Sequence, residues 1–208
     1  MSAKRPNLPF DHSWVSAEVK RGNYQLVFIK PVRTDKLPPD AWKRSASYAI
    51  TSKDDYDEAA ARLATYFRGQ LREQIKEQPN HEFTLADNST GPRTLVIEIA
   101  LTELEFSHPV ARAGALAAPI PGTGPALSTI TDPHVAFAAR ITDGPTGRLV
   151  ATVADRKFPP MRIVDFNKLT VESSPREVCQ LWSESIAKAL DGNGKDPITE
   201  EKFSLLPS

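Results

Sequence analysis

A long amphipathic segment between Asp54 and Glu77 constrains the fold of this chain more than any other part of the sequence. Its apolar side chains recur every three or four residues and therefore share one face of a helix: Tyr56, Ala59, Ala60, Leu63, Tyr66, Phe67, Leu71 and Ile75. Ser52 followed by Asp55 matches an N-terminal capping box, and Pro79-Asn80 ends the pattern. Because one face of so long a helix must be covered, we predict that it packs across a β-sheet.

Three apolar segments predict strands of that sheet. Tyr24–Lys30 combines apolar, aromatic and β-branched residues, which is typical of a central strand buried on both faces. Phe83–Leu85 is a brief strand candidate, and Thr94–Phe106 is a longer one with alternating apolar positions. In the longer segment the alternation slips by one residue near Thr102–Glu103. A one-residue slip exchanges the two faces of a strand, so we expect a β-bulge or bend there.

The C-terminal half of the sequence predicts a hairpin and a second helix. His134–Ile141 and Arg148–Ala154 are strand candidates, and Thr142–Gly147 between them has the glycines and proline of a tight turn. We therefore expect an antiparallel hairpin. The helix begins at Ser174, followed by a first-turn proline and a glutamate at the capping-box position, and ends at Asp191-Gly192. Its inward face is formed by Val178, Trp182, Ile186 and Leu190.

These elements predict an α+β fold in one domain, with a mainly antiparallel sheet of about five strands and two amphipathic helices packed on one face. The 208 residues suffice for a single domain with extensions. We assign residues 1–22 to a loose N-terminal arm pinned by Phe10 and Trp14. The domain occupies residues 23–192, and residues 193–208 form a C-terminal tail.

Composition and charge exclude several classes of protein. The 26 basic and 26 acidic residues give a formal net charge of zero, which does not provide the basic surface of a nucleic-acid binder. No apolar run is long enough to predict a membrane-spanning helix. The basic pair near the start has no apolar stretch behind it, so we expect either a cytosolic protein or one whose secretory signal has been removed.

The search for catalytic and binding motifs returns mainly negatives. The histidines, His12, His81, His108 and His134, lack metal-ligand spacing, and no motif indicates a cofactor, so we predict neither a metal nor a cofactor site. No Gly-x-Ser-x-Gly elbow or phosphate-binding loop is present. Cys179, the single cysteine, lies on the inward face of this helix, and we interpret it as a small apolar core residue. Asp155-Arg156 at a strand end could supply a catalytic carboxylate with its cation, but a strand-end ion pair is the commoner arrangement.

One segment departs from the ordinary pattern of a surface connection. Of the 25 residues from Ser107 to Thr131, only Arg112 is charged, and 13 are alanine, proline or glycine. Connections between strands normally run over the surface, where charge is expected. The segment either folds back over the sheet as a cover or forms an apolar contact surface between Val110 and Leu127, with Leu116 and Ile120 at its centre.

The hairpin between Ile141 and Arg156 also carries a resemblance to a known family. Asp143, Thr146 and Gly147 form an Asp-x-x-Thr-Gly turn that leads into a strand of small residues ending in Asp155-Arg156. Five further features share the resemblance: Tyr24–Val32, the long amphipathic helix, the Gly91–Leu95 strand start, the uncharged loop at His108–Ala111, and a terminal helix with Trp182. Together they resemble a bacterial lipoprotein-like family known only as a domain of unknown function, over roughly residues 24–190.

The resemblance implies a location in the cell envelope, on the periplasmic side of the outer membrane, and no established activity or site residues. Family members typically begin with a lipoprotein signal and a lipid-modified cysteine, which this sequence does not contain. We therefore expect a non-catalytic protein that acts through a protein partner, self-association or, with such an anchor, the membrane surface. Two alternatives stay open: a small-ligand-binding periplasmic protein, and a hydrolase or transferase built around Asp155.

Overall fold

The computed structural model describes residues 8–19, 21–45, 50–78, 83–106, 134–158 and 173–191. Six strands form one mixed sheet in the order β1-β6-β5-β4-β2-β3. Their bounds are β1 His12–Val15, β2 Leu26–Ile29, β3 Thr84–Leu85, β4 Thr94–Glu105, β5 His134–Asp143 and β6 Leu149–Lys157. The β1/β6, β6/β5 and β5/β4 pairs are antiparallel, whereas β2 pairs in parallel with both β3 and β4. The predicted α+β class with a mainly antiparallel sheet is confirmed.

The helices are α1 (Ala41–Arg44), α2 (Lys53–Lys76) and α3 (Ser173–Asp191), and a 3₁₀ turn occupies Arg21–Asn23. The capping box predicted for α2 is present: the Ser52 hydroxyl accepts from the Asp55 N–H, and the Asp55 carboxylate accepts from the Ser52 N–H. The helix α3 begins one residue before the predicted start and ends at Asp191 as predicted.

Both long helices lie on the same face of the sheet, as predicted. The rings of Phe67 from α2 and Trp182 from α3 both contact Phe137 of β5, with centroids 5.8 Å and 4.6 Å away. All three side chains are almost completely buried. Because aromatic residues bury large apolar areas, this trio forms the centre of the core.

The predicted slip in β4 is a β-bulge. The register of β4 against β5 shifts between Leu101 and Glu103, so the apolar positions pass from odd to even numbers. Leu101 before the bulge and Leu104 after it are both buried in the core. The side chains of Glu103 and Glu105 are consequently turned to the opposite face, away from α2 and α3.

The strand β1 falls in the range predicted to be a loose arm. Phe10 is buried, and the centroid of its ring lies 6.3 Å from that of Phe137. His12–Val15 then pairs along β6 and forms an edge of the sheet. This part of the predicted arm therefore belongs to the sheet, because a four-residue strand is defined by its partner rather than by its own apolar pattern.

Candidate functional site

Asp155 lies on the core-facing side of β6, where it joins three elements. Its Oδ2 accepts a 2.7 Å hydrogen bond from the indole Nε1 of Trp182 in α3, and its Oδ1 accepts from the backbone N–H of Asp11, at 3.1 Å. The Nζ of Lys157 lies 3.7 Å from Oδ2. Asp155 is buried, and this burial raises the pKa of its carboxyl. Its two oxygens therefore hold β1 and α3 against β6.

Arg156 points to the other face of the sheet, because successive residues of a strand alternate. Its Nε lies 2.9 Å from Oε2 of Glu103, and its guanidinium lies 5.5 Å from the ring centroid of the exposed Phe158. The backbone N–H of Arg156 donates to the Asp11 carboxylate. Arg156 thus pairs with Glu103, whereas Asp155 binds Trp182 and Asp11, and the strand-end ion pair predicted between the two neighbours is replaced by these contacts.

Arg156 belongs to a group that we call the polar cluster: Arg44, Glu103, Glu105, His134 and Arg156. The two ring nitrogens of His134 face two carboxylates, with Nε2 3.1 Å from Glu103 Oε2 and Nδ1 3.6 Å from Glu105 Oε2. Glu105 uses its other oxygen, Oε1, to accept a 2.5 Å hydrogen bond from Arg44 Nε. Glu105 and His134 are nearly buried, and so are the Oε2 atoms of both glutamates.

The bulge in β4 explains how the polar cluster forms. Up to Leu101 the odd-numbered residues of β4 face the core, and without the bulge Glu103 and Glu105 would also point into it. After the slip they lie on the outer face, where Glu105 is the cross-strand partner of His134. The slip and the two glutamates were both visible in the sequence, and together they could have identified this cluster. Arg44 arrives from the short helix α1, which gave no such signal.

The other family-like residues build the hairpin turn. Oδ1 of Asp143 accepts hydrogen bonds from the backbone N–H and the hydroxyl of Thr146, at 2.9 and 2.6 Å. These hydrogen bonds hold the pKa of Asp143 below its usual range, and the bond from the Thr146 hydroxyl has the largest effect. Gly147 has a φ of 69°, in the left-handed region that favours glycine, and its N–H donates to the Asp143 carbonyl. This part of the motif therefore specifies a turn.

The predicted contact residues Val110, Leu116, Ile120 and Leu127 lie outside the described residues. The flanking strands nevertheless determine where their segment is attached. Glu105 at the end of β4 pairs with His134 at the start of β5, so the chain leaves and re-enters the sheet at adjacent positions. The polar cluster surrounds this point.

Three further observations on the described residues concern possible binding sites and membrane spans. A shallow depression between the ends of α2 and α3 has a cavity volume of about 10 Å³, far below the ~300–1,000 Å³ usual for ligand pockets. It is lined by Ile75, Gln78, Phe83, Ala187, Leu190 and Asp191. Within the described ranges, no group of three or more His, Cys, Asp or Glu residues is arranged to hold a metal ion. Within the same ranges, no helix has the length and apolar character needed to cross a bilayer.

Comparisons with known proteins support the family resemblance. Residues 7–162 match the family described as "Protein of unknown function (DUF3313)". Comparison with curated proteins gives no match. Similar solved structures include the PelC dodecamer from Paraburkholderia phytofirmans, at 11% identity and a TM-score of 0.41, with 85% of this chain and 95% of that chain covered.

Two further structures extend this comparison. The protein XCC0632 from Xanthomonas campestris, a DUF330 protein, has 9% identity and a TM-score of 0.44, covering 83% of this chain and 87% of its own. Lipoprotein GNA1162 from Neisseria meningitidis has 14% identity and a TM-score of 0.26, covering 81% and 99%. Residues 7–162, which match the family, make up well over half of the sequence. The chain therefore belongs to the DUF3313 family of proteins of unknown function.

Proposed function

We propose that this protein is a non-catalytic component of the bacterial cell envelope that acts through apolar contacts made by residues 110–127. The observation that supports this proposal is that Arg112 is the only charged residue among the 25 residues from Ser107 to Thr131. An apolar stretch of this length on a protein with a quarter charged residues is suited to bind another protein surface. The partner we propose first is a second copy of the chain.

The attachment of this segment supports the proposal. The segment lies between β4 and β5, which are neighbours near the middle of the sheet. Its two ends start from the paired residues Glu105 and His134. Because strand pairing holds both ends of the segment, we expect substitutions within residues 110–127 to leave β4 and β5 paired.

The placement of the most suggestive acidic residues favours a non-catalytic role. Both oxygens of Asp155 accept hydrogen bonds from the core residue Trp182 and the backbone of Asp11. Asp143 likewise accepts hydrogen bonds from the backbone N–H and the hydroxyl of Thr146 within the hairpin turn. A general acid or base must reach a substrate proton, whereas these two carboxylates are engaged in holding the fold together.

The double variant Leu116→Asp/Ile120→Asp tests the contact. We expect the wild-type protein to self-associate in sedimentation-equilibrium experiments, and the double variant to stay monomeric with a nearly unchanged thermal transition. Leu149→Asp is the matched control, because Leu149 is an exposed leucine of the described hairpin. Flotation with phosphatidylethanolamine and phosphatidylglycerol vesicles distinguishes protein contact from membrane contact.

Three results would overturn the contact proposal. Wild-type protein that is monomeric at all concentrations contradicts self-association, and binding to vesicles would replace the protein partner with a lipid surface. Loss of the fold in the double variant would show that the segment instead covers the sheet.

The envelope location has its own test, mass spectrometry of the N-terminus of protein made from the native gene. We expect an acylated cysteine in the outer-membrane fraction, and an unmodified start at Met1 in the cytosol would refute this location.

A further inference from the structure

We propose that the face of the sheet opposite α2 and α3 holds a groove that receives residues 110–127 of a second copy of the chain. This inference rests on the function proposed above, because it names the surface to which that segment binds. Side chains of a strand alternate between the two faces, so Ala100, Ala138 and Ala154 point away from the core. Cross-strand pairing places Ala100 opposite Ala138, and Ala138 opposite Ala154. This row is the floor of what we call the outer groove.

Charged side chains line the outer groove on both sides. On one side, Glu98 accepts hydrogen bonds from Lys30 and from Arg140, its cross-strand partner. On the other side, the Nε of Arg156 lies 2.9 Å from Oε2 of Glu103. The two charged rows are four residues apart along β5, which corresponds to about 13 Å. Since neighbouring chains in a sheet lie about 5 Å apart, this width accommodates one extended polypeptide chain.

The outer groove is open in the single chain. Ala138 at its centre is exposed, and Ala100 and Ala154 on either side of it are partly exposed. An alanine floor offers apolar surface without large side chains, so the backbone of an occupant can approach it closely. Because this chain leaves the centre of the floor exposed, the occupant comes from another molecule.

The composition of residues 107–131 fits the outer groove. Of these 25 residues, 13 are alanine, proline or glycine, so the segment can lie close to a floor of small side chains. The charged residues beside the floor already bind one another, and a segment whose only charge is Arg112 does not compete with their ion pairs. A highly charged occupant would lose hydration without gaining free partners.

The length of the segment allows it to reach a neighbouring molecule. It is attached at Phe106 and His134, and Ile120 lies midway, 14 residues from each. A chain of this length spans at most about 46 Å, which exceeds the roughly 33 Å length of β5. Ile120 therefore belongs to the part of the segment that can extend farthest from its own sheet. The contact is head-to-tail, between the segment of one copy and the outer groove of the next.

The variant Ala138→Trp tests the outer groove in the full chain. An indole on the floor should exclude the segment, and we expect the dissociation constant of self-association, measured by sedimentation equilibrium, to rise by at least about tenfold. Ala61→Trp is the matched control and should leave association unchanged, because Ala61 is exposed on α2, which packs on the opposite face of the sheet. Should Ala138→Trp fail to fold, Ala154→Trp in the same row replaces it.

A mixture of two variants separates this inference from the function proposed above. Ala138→Trp retains an intact segment, and Leu116→Asp/Ile120→Asp retains an open groove. Each variant alone should be monomeric, whereas an equimolar mixture should form dimers. A mixture that stays monomeric, or an Ala138→Trp variant that associates like the wild type, would overturn the groove and leave the contact through residues 110–127 standing. Wild-type protein that is monomeric at all concentrations would overturn both.

Discussion

Replacement of Asp155 by alanine tests the hydrogen bonds that join β1 and α3 to β6. The substitution removes the acceptor of the fully buried Trp182 indole N–H and that of the Asp11 backbone N–H. Loss of a partner for a buried donor costs about 1–3 kcal/mol, and this cost applies to the buried Trp182 indole. Asp11 is exposed, so water can replace the partner of its N–H at little cost. We expect a net loss of about 1–3 kcal/mol in the free energy of unfolding.

Urea denaturation followed by far-UV circular dichroism measures this loss. Asp57→Ala, at an exposed carboxylate of α2, is the control and should change stability by less than about 0.5 kcal/mol. A double-mutant cycle with Trp182→Phe isolates the contribution of the indole bond, because phenylalanine retains the ring contacts but has no donor. An Asp155→Ala variant as stable as this control would refute the reasoning.

The contribution of Asp155 to the stability of the fold should change with pH in a defined direction. Burial raises the pKa of Asp155, so the folded protein binds this proton more tightly than the unfolded chain does. The stability that Asp155 contributes therefore falls as pH rises above the ordinary aspartate value of about 3.9. The stability difference between wild type and Asp155→Ala should be larger near pH 4 than near pH 7. A difference that grows towards neutral pH would show that the charged form is the favoured one.

Two further predictions concern close packing in the fold. A Cβ atom at Gly144 would lie 2.5 Å from the Ser89 carbonyl oxygen, so Gly144→Ala should lower the thermal midpoint measured by calorimetry. Gly69→Ala in α2, with open space around its Cβ, should raise stability by up to about 1 kcal/mol, and equal effects of the two variants would contradict this assignment. Cys179 is completely buried, which raises the pKa of its thiol, so Ellman's reagent should modify it only in denaturant. Rapid labelling of the native protein would contradict its burial.

Local sequence patterns predicted the elements whose stabilising contacts are themselves local. The capping box between Ser52 and Asp55 joins residues three apart, and the apolar stripe of α2 repeats within one helix. The bulge near Glu103 was visible because a period of two residues cannot slip without a change of face. The turn at Asp143 was equally visible in its neighbouring residues.

Contacts between distant residues could not be predicted in this way. Asp155 was identified as notable, but its partners Asp11 and Trp182 lie 144 and 27 residues away. Likewise, Arg44 reaches Glu105 from a helix of only four residues. No sequence pattern indicates these contacts, because the residues that meet are far apart in the chain and no periodic repeat relates their positions.

The sequence alone therefore determined the two long helices, the hairpin, the bulge and the membership of an α+β class, since each depends on the pattern within one segment. Only the tertiary structure decided the order of the strands and the recruitment of β1 to the sheet edge. It also converted Asp155 into a core hydrogen-bond acceptor and placed His134 between two glutamates. The physical reason is that burial and electrostatic environment are set by whichever segments meet in space, and side chains acquire their roles from those neighbours.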